Sequence, residues 1–474
     1  MKDEEKEMEK QQPQVTTALK ITMKELFMKI YIPFLIIGMV YQGGNMLVPL
    51  FLKIKFNSTD TFIGFAATVN SIGNLLAAVP VGKSIEKFGT RNTQLSSLIL
   101  FVVAFVFAGL MEVPGLILIS NFIIGVGFCQ YHLPQHTFLS GNVPVLMRGK
   151  AMAYTGGTHR VAGIFGPLLV ALFAAAVGLQ ATFFCLIPCM IMNFIWQYIN
   201  FYDNASKKHL LERTKMLKEE EEKKKNNDTS QKNNNTMKDE PLRMSTSQIM
   251  YDFRHVLFRV SIYCILLTFV RYGRVLMIPL FGLALKLSVT EIAVISSVSY
   301  FSGASMFPVS GYIMDRFGRK KNAFITTFVM AIGFLIMYIS TNFGFLLASG
   351  ILIGFGNGLS SGLVMTLGGD MAPNDKRRGP FLGIYKLLIS TGQLIGPIVA
   401  GWASDVFGVQ GGAISCLIVA ILACTWVVLF IPETRNFINS KKQKEDEEKV
   451  VVGTTKEIIV LVNEEEVSKD EGKH

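Results

Sequence analysis

The sequence predicts an all-α membrane protein: twelve transmembrane helices in two repeated bundles of six. Three observations carry that prediction. Apolar runs of membrane-spanning length recur along the chain, basic residues crowd into alternate short loops, and the two halves match in one register. The chain has 474 residues, of which 50% are hydrophobic and 17% charged, and its mean hydropathy is +0.40. Soluble domains are less apolar than this. Crossing the hydrocarbon of a bilayer takes about 20 consecutive apolar residues in a helix, and runs of that length are plentiful here.

The elements follow in order. Residues 1–28 open with "MKDEEKEMEKQQPQ", a charged stretch without the early apolar core of a cleavable signal peptide, and read as a cytoplasmic N-terminal segment. Spans are expected at 29–52, 61–81, 93–111, 115–138, 149–177 and 180–201, forming an N-terminal six-helix bundle over 29–201. Residues 202–257 include "KEEEEKKKNNDTSQKNNN"; dense charge and low hydrophobicity predict a disordered cytoplasmic linker, with a helix expected around 207–225. A second set of spans at 258–284, 289–310, 322–341, 343–365, 380–403 and 408–431 forms a C-terminal bundle over 258–431. The tail, 432–474, is charged, and its "EIIVLV" is too short to span.

Orientation follows from the loops. Lys87, Arg91, Arg148, Arg316, Arg319 and Arg378 lie in one set of short loops, whereas the opposite set holds only Lys53, Lys55 and Lys286. The basic side is cytoplasmic by the positive-inside rule, and both termini and the linker share it. The net charge of +11 is thus a topology signal and not a nucleic-acid signal. Asn57-Ser58-Thr59 falls on the outside and is open to glycosylation, while the sequons at Asn204, Asn227 and Asn234 are cytoplasmic. The six cysteines all sit in apolar runs and read as free thiols.

The repeat is explicit. "GKSIEKFG" at 82–89 matches "GYIMDRFG" at 311–318, and "SNFIIGVG" at 120–127 matches "SGILIGFG" at 349–356. "RGKAMAYTGGTHRVAGIFGP" at 148–167 matches "RGPFLGIYKLLISTGQLIGP" at 378–397, and "PLF" at 49–51 recurs at 279–281. All four matches fall 229 or 230 residues apart. Two homologous halves joined by a linker are a transporter trait.

These motifs carry a resemblance. "GYIMDRFGRKKN" resembles the signature loop between helices 2 and 3, and between 8 and 9, of the major facilitator superfamily; the first copy has Glu86 where the pattern has Asp. "GIFGP" is similar to the helix-5 motif of that family, and "PETR" at 432–435 to a common ending of helix 12. The resemblance covers about 29–435 and implies two six-helix bundles around a central cavity. It implies alternating access, with helices 1, 4, 7 and 10 lining the cavity beside parts of 5 and 11. It also implies that the loop acidic and basic residues Glu86, Lys87, Asp315, Arg316 and Arg319 form a cytoplasmic gate. Drug/proton antiporters of the superfamily carry Arg where Asn121 stands here, often with a membrane acid; this chain has neither.

The candidate chemistry lies at midplane. Arg160 sits in "GGTHRVAGIFGP", and Arg271 and Arg274 sit three residues apart on one helix face in "VRYGRVLMIP". Lys386 enters the eleventh span from the basic side. Ionisable residues at such depth face a bundle interior or a water-filled cavity. No Asp or Glu occurs at midplane depth in any span, so an anionic substrate suits these cations best, and guanidinium binds carboxylate or phosphate in two-pronged fashion. The repeat gives each arginine a neutral counterpart: Ser390 for Arg160, Tyr41 for Arg271 and Gly44 for Arg274.

Gln42, Asn45 and Asn121 are polar candidates for the same site, and His159 for proton coupling. His132 and His136 lie nearer the basic end. Gly156, Gly157, Gly163 and Gly166 are expected to permit close helix packing.

The sequence therefore predicts a transporter of a small organic or inorganic anion. The alternatives are a transporter of neutral or cationic compounds, drug-efflux-like, and a non-transporting membrane sensor. No clustered catalytic constellation, metal set or cofactor motif is present, and the absence of a GxxxxGK[ST] loop speaks against ATP-driven pumping. The expected partners are a small solute and membrane lipid, without nucleic acid, and the chain is expected to be monomeric.

Overall fold

A computed structural model of the protein describes residues 23–143, 145–200, 246–360, 362–373 and 377–431. The N-terminal segment to residue 22, the linker over 201–245 with its expected helix and sequons, and the tail after 431 lie outside those residues.

Every regular element among the described residues is helical. Eleven helices are long and apolar enough to cross a membrane, and one of them, Asp60–Leu110, has 51 residues. That helix breaks at Gly89, where φ is 80° and ψ 167°. It therefore divides into two spans, α2 (60–88) and α3 (90–110), giving twelve. The others are α1 (Phe27–Phe56), α4 (Pro114–Asn142), α5 (Val145–Val177), α6 (Leu179–Asn200), α7 (Arg254–Ala284) and α8 (Val289–Phe317). The series closes with α9 (Arg319–Tyr338), α10 (Phe343–Met371), α11 (Arg378–Phe407) and α12 (Val409–Phe430). The chain is an integral, multi-pass membrane protein. A short helix, Thr246–Asp252, precedes α7.

The helices outrun the apolar windows of the sequence. The second span was expected to stop at 81, yet α2 runs through the loop motif up to Gly89. The reason is that "KSIEKF" at 83–88 contains neither Gly nor Pro, so the backbone continues its helical hydrogen bonding past the end of the apolar run.

The repeat recurs in backbone detail. Gly89 and its counterpart Gly318 both take positive φ, 80° and 93°. Such angles suit glycine because a Cβ would clash there, and they turn α2 into α3 and α8 into α9. Asn57 and Lys286 end α1 and α7 in the left-handed region, at φ 46° and 59°. Thr59 then caps α2 through the amide of Phe62, and Ser288 caps α8 in a capping box with Glu291. Each pair lies 229 residues apart, so the two halves share turn chemistry where they do not share side chains. Within the halves, α4 packs along α2 and α3, α1 along α5, α9 along α10, and α7 along α11. Between the halves, α2 packs against α11 and α5 against α8.

Candidate functional site

The first interface between the halves starts at the end of the protein that carries Asn57. There the Asp405 carboxylate of α11 accepts hydrogen bonds from the backbone amides of Asp60 and Thr61, each at 2.7 Å, and from the Thr61 hydroxyl. Those amides belong to the first turn of α2, where backbone N–H groups lack helical partners and the helix dipole favours a negative charge. Lys53 holds Asp60 from the other side at 2.7 Å. Further in, the Thr68 hydroxyl donates to the Leu394 carbonyl (2.8 Å), and Gln393 to the Ser71 hydroxyl (2.9 Å). Backbones touch along this line: a Cβ on Gly64 or Gly401 would lie 2.2 Å from the carbonyl oxygen of Pro397 or Asp60, respectively. The contact spans residues 60 to 71 of α2, about 17 Å at 1.5 Å per residue.

The second interface lies between α5 and α8 and contains the first predicted site residue. Arg160 is residue 16 of the 33 in α5, at the middle of the helix. Its guanidinium donates to the Gly303 carbonyl of α8 (3.3 Å) and lies over the Phe307 ring, 5.0 Å from the centroid. One turn along, Gly163 leaves space for Tyr300, whose ring would sit 2.5 Å from an added Cβ. Gly166 serves close approach too, against Met39 and Gly43 of α1, whereas Gly156 and Gly157 face open space and pack against nothing. The expectation of close packing thus applies to only part of that glycine cluster.

Arg271 and Arg274 are residues 18 and 21 of the 31 in α7. Both lie within Coulombic reach of Arg160, and Lys386 lies within reach of Arg271. The structure therefore brings together the four predicted cations from three helices. Arg271 donates through Nε to Asn357 of α10 (2.8 Å). Arg274 donates to the Ser299 hydroxyl of α8 (2.9 Å), lies under the Tyr300 ring (4.9 Å), and keeps a buried Nε without a hydrogen-bond partner. Neither has a carboxylate partner among the described residues. Lys386 is exposed on α11, nearer the basic end.

Beside Arg274 lies a small pocket of about 20 Å³, lined from both halves by Gln42, Asn45, Arg274, Ser296 and Tyr300 among others. A neutral hydrogen-bond chain crosses it. The Tyr300 hydroxyl donates to Gln42 Oε1 (3.1 Å), which also accepts from Asn45 (3.3 Å). Gln42 Nε2 then lies 3.1 Å from His159 Nε2. With its oxygen occupied as an acceptor, the amide donates and the imidazole accepts, so the His159 proton is assigned to Nδ1. That Nδ1 is buried without a hydrogen-bond partner. His132 and His136 sit on α4, their Nε2 atoms 3.1 Å apart, and the His132 ring packs against the same Phe34 and Phe128 rings as His159.

Asn121 is not brought to the pocket. It is buried in α4, and its carbonyl accepts from Asn70 of α2 (3.3 Å) within the N-terminal half. The loop residues Glu86, Lys87, Asp315 and Arg316 are exposed at the basic end. Asp315 and Glu86 form no ion pair among the described residues, while Arg319 pairs with Asp370 at the end of α10 (3.0 Å). Asn57 is exposed at the opposite end.

Sequence reasoning missed Tyr300, Ser299 and Asp405. The run "SSVSYFSG" at 296–303 held a signal: four serines, a tyrosine and a glycine in a span mark close helix packing and interhelical hydrogen bonding. The two halves differ in kind at equivalent positions. Where α7 and α10 meet through Arg271 and Asn357, α1 and α4 meet through Tyr41 and Phe128, stacked with centroids 3.9 Å apart.

Comparison with known proteins places this architecture. The chain is 21% identical over 196 residues to a multi-drug resistance efflux pump PmrA homolog of Lactococcus lactis subsp. lactis (strain IL1403), covering 41% of this chain and 48% of the relative. It is 26% identical over 155 residues to the galactose-proton symporter of Escherichia coli (strain K12), covering 32% of each. It thus spans about half the length of the first and a third of the second. Among solved structures, the nucleoside transporter NupG superposes with a TM-score of 0.65 at 12% identity, covering 86% of this chain and 98% of that one. The sequence profile of the Major Facilitator Superfamily matches residues 30–283 and again 260–462. The duplicated profile, the paired turns and the shared fold lead to one conclusion: this chain belongs to the Major Facilitator Superfamily.

Proposed function

We propose that the protein is a secondary transporter that carries a small anion across its membrane by alternating access, working as a monomer. The observation that carries this reading is the pair Arg271 and Arg274 near the middle of α7. Arg274 lines a pocket shared by both halves, Arg271 lies three residues away on the same helix, and neither has a carboxylate partner among the described residues. Buried guanidinium groups without an opposing charge are costly, and a transported anion supplies that charge. Arg160 faces them from the other half. Hydrogen bonds between the halves run from Asp405 to Arg160, an arrangement suited to a cavity closed at the Asn57 end. With the basic end cytoplasmic, as the loop charges predict, this is the inward-facing state, and Asp315 and Glu86, which form no ion pair among the described residues, belong to an open cytoplasmic gate.

One set of contacts favours a second reading. Gly303, Asn357 and Ser299 give each arginine a neutral hydrogen-bond acceptor, which a transporter of neutral or cationic solutes would need to hold its arginines as struts. The relatives named above include a drug efflux pump and a sugar symporter. Uptake by the purified chain in proteoliposomes separates the two: carboxylates and phosphates drive or compete with flux in the anion reading. Uptake of neutral or cationic solutes that these anions leave untouched refutes it.

A further inference from the structure

We infer that the cargo carries at least two negative charges, held by the C-terminal half, as in a dicarboxylate or a phosphate monoester; this rests on the anion reading above. The argument is a count of charge and of free donors on one half. Arg271 and Arg274 project from one face of α7, and Lys386 from α11 lies within Coulombic reach of Arg271. None of the three meets a carboxylate among the described residues. Arg271 spends only Nε on Asn357, so both of its terminal nitrogens stay open for a two-pronged contact. Arg274 spends one terminal nitrogen on Ser299, and its buried Nε has no partner.

Like charges this close repel, and a single negative charge would leave the cluster cationic. A second negative charge brings the three cations closer to neutrality than a single one does. The other wall differs. There the N-terminal half offers Tyr41, Gln42, Asn45 and His159, joined in neutral hydrogen bonds or stacked on Phe128. That surface suits the uncharged body of a solute. The cations also form a ladder, from exposed Lys386 through Arg271 to Arg274 at the pocket, so a multiply charged anion entering from the basic end meets fresh positive charge at each step.

The test uses the purified full chain and matched probe pairs that differ by one charge. The pairs are succinate and monomethyl succinate, glutarate and monomethyl glutarate, and glycerol 3-phosphate and its methyl diester. Binding is read by thermal stabilisation and by competition between probes. At least one dianion binds tighter than its singly charged partner by about tenfold or more. Lys386→Gln, at an exposed position, lowers that ratio several-fold, and Arg271→Gln lowers it further, with Arg271→Lys as the substitute if Arg271→Gln does not fold. If singly charged members bind as well as their dianionic partners, the divalent inference is overturned and the anion reading stands. If no member of the panel binds, both are overturned.

Discussion

Replacing Asp405 tests how the halves are held together at the Asn57 end. Its carboxylate bridges to the first turn of α2 with three hydrogen bonds, two of them to backbone amides at 2.7 Å. Hydrogen bonds to a charged group contribute about 1.5–3 kcal/mol each when buried, and a charge at a helix N-terminus about 0.3–1 kcal/mol. Asp405 is exposed, so solvent screens the charge and each bond falls to the net value of an ordinary hydrogen bond, about 1 kcal/mol or less. Loss of the whole bridge in Asp405→Ala then weakens the closed arrangement by about 2–3 kcal/mol, and Asp405→Asn, which keeps an acceptor, by about half that. At 1.4 kcal/mol per factor of ten, the alanine variant shifts the balance between closed and open ends by about 30- to 140-fold. A state near 1% in the parent would reach roughly a quarter to somewhat over half of the molecules. Spin labels at Val113 and Thr341, exposed loop positions of opposite halves at this end, report the separation directly in a cysteine-free background. A longer distance should emerge in Asp405→Ala and, more weakly, in Asp405→Asn. Identical distance distributions in all three proteins would show that the bridge carries no conformational weight.

Three further outcomes are expected. Arg160→Gln weakens anion binding by about 2–5 kcal/mol if the contact is a desolvated charge pair, and Arg160→Lys by less, because the charge remains without the planar fork; a collapse in folded yield would instead mark Arg160 as a strut between Gly303 and Phe307. Asp315→Asn slows transport while leaving ligand binding intact, since the residue is exposed and distant from the pocket, and transport at the parent rate would remove it from the gate. In cells a glycan forms at Asn57 alone, and a glycan on Asn227 or Asn234, read by enzymatic deglycosylation and gel shift, would invert the orientation.

The fold was legible because its determinants are local. Apolar runs, capping residues such as Ser288 and turn glycines such as Gly318 act through their neighbours in the chain, so the sequence displays them. The repeat doubled each signal. The site was legible only as a set of cations. Arg160, Arg271, Arg274 and Lys386 stood out because charge is rare at that depth, but their partners did not. Gly303 contributes a carbonyl, which every residue has, and Ser299 and Asn357 are ordinary in a packed span. The bridge from Asp405 to α2 joins residues 344 and 345 positions apart through backbone amides, which leave no mark in side-chain pattern. The glycine cluster of α5 misled in part because composition alone does not say which face a helix turns to its neighbour.

The neutral character of the arginine contacts bears on turnover. A guanidinium locked to a carboxylate sits in a deep well, and pulling it out strands an opposite charge. A guanidinium that rests on a carbonyl, an amide or a hydroxyl strands no opposite charge when it leaves. Gly303, Asn357 and Ser299 can be exchanged for a passing solute and then taken up again, with water covering the gap between. Such placeholders keep the empty protein folded, yet grip weakly enough to yield, so each cycle ends where it began.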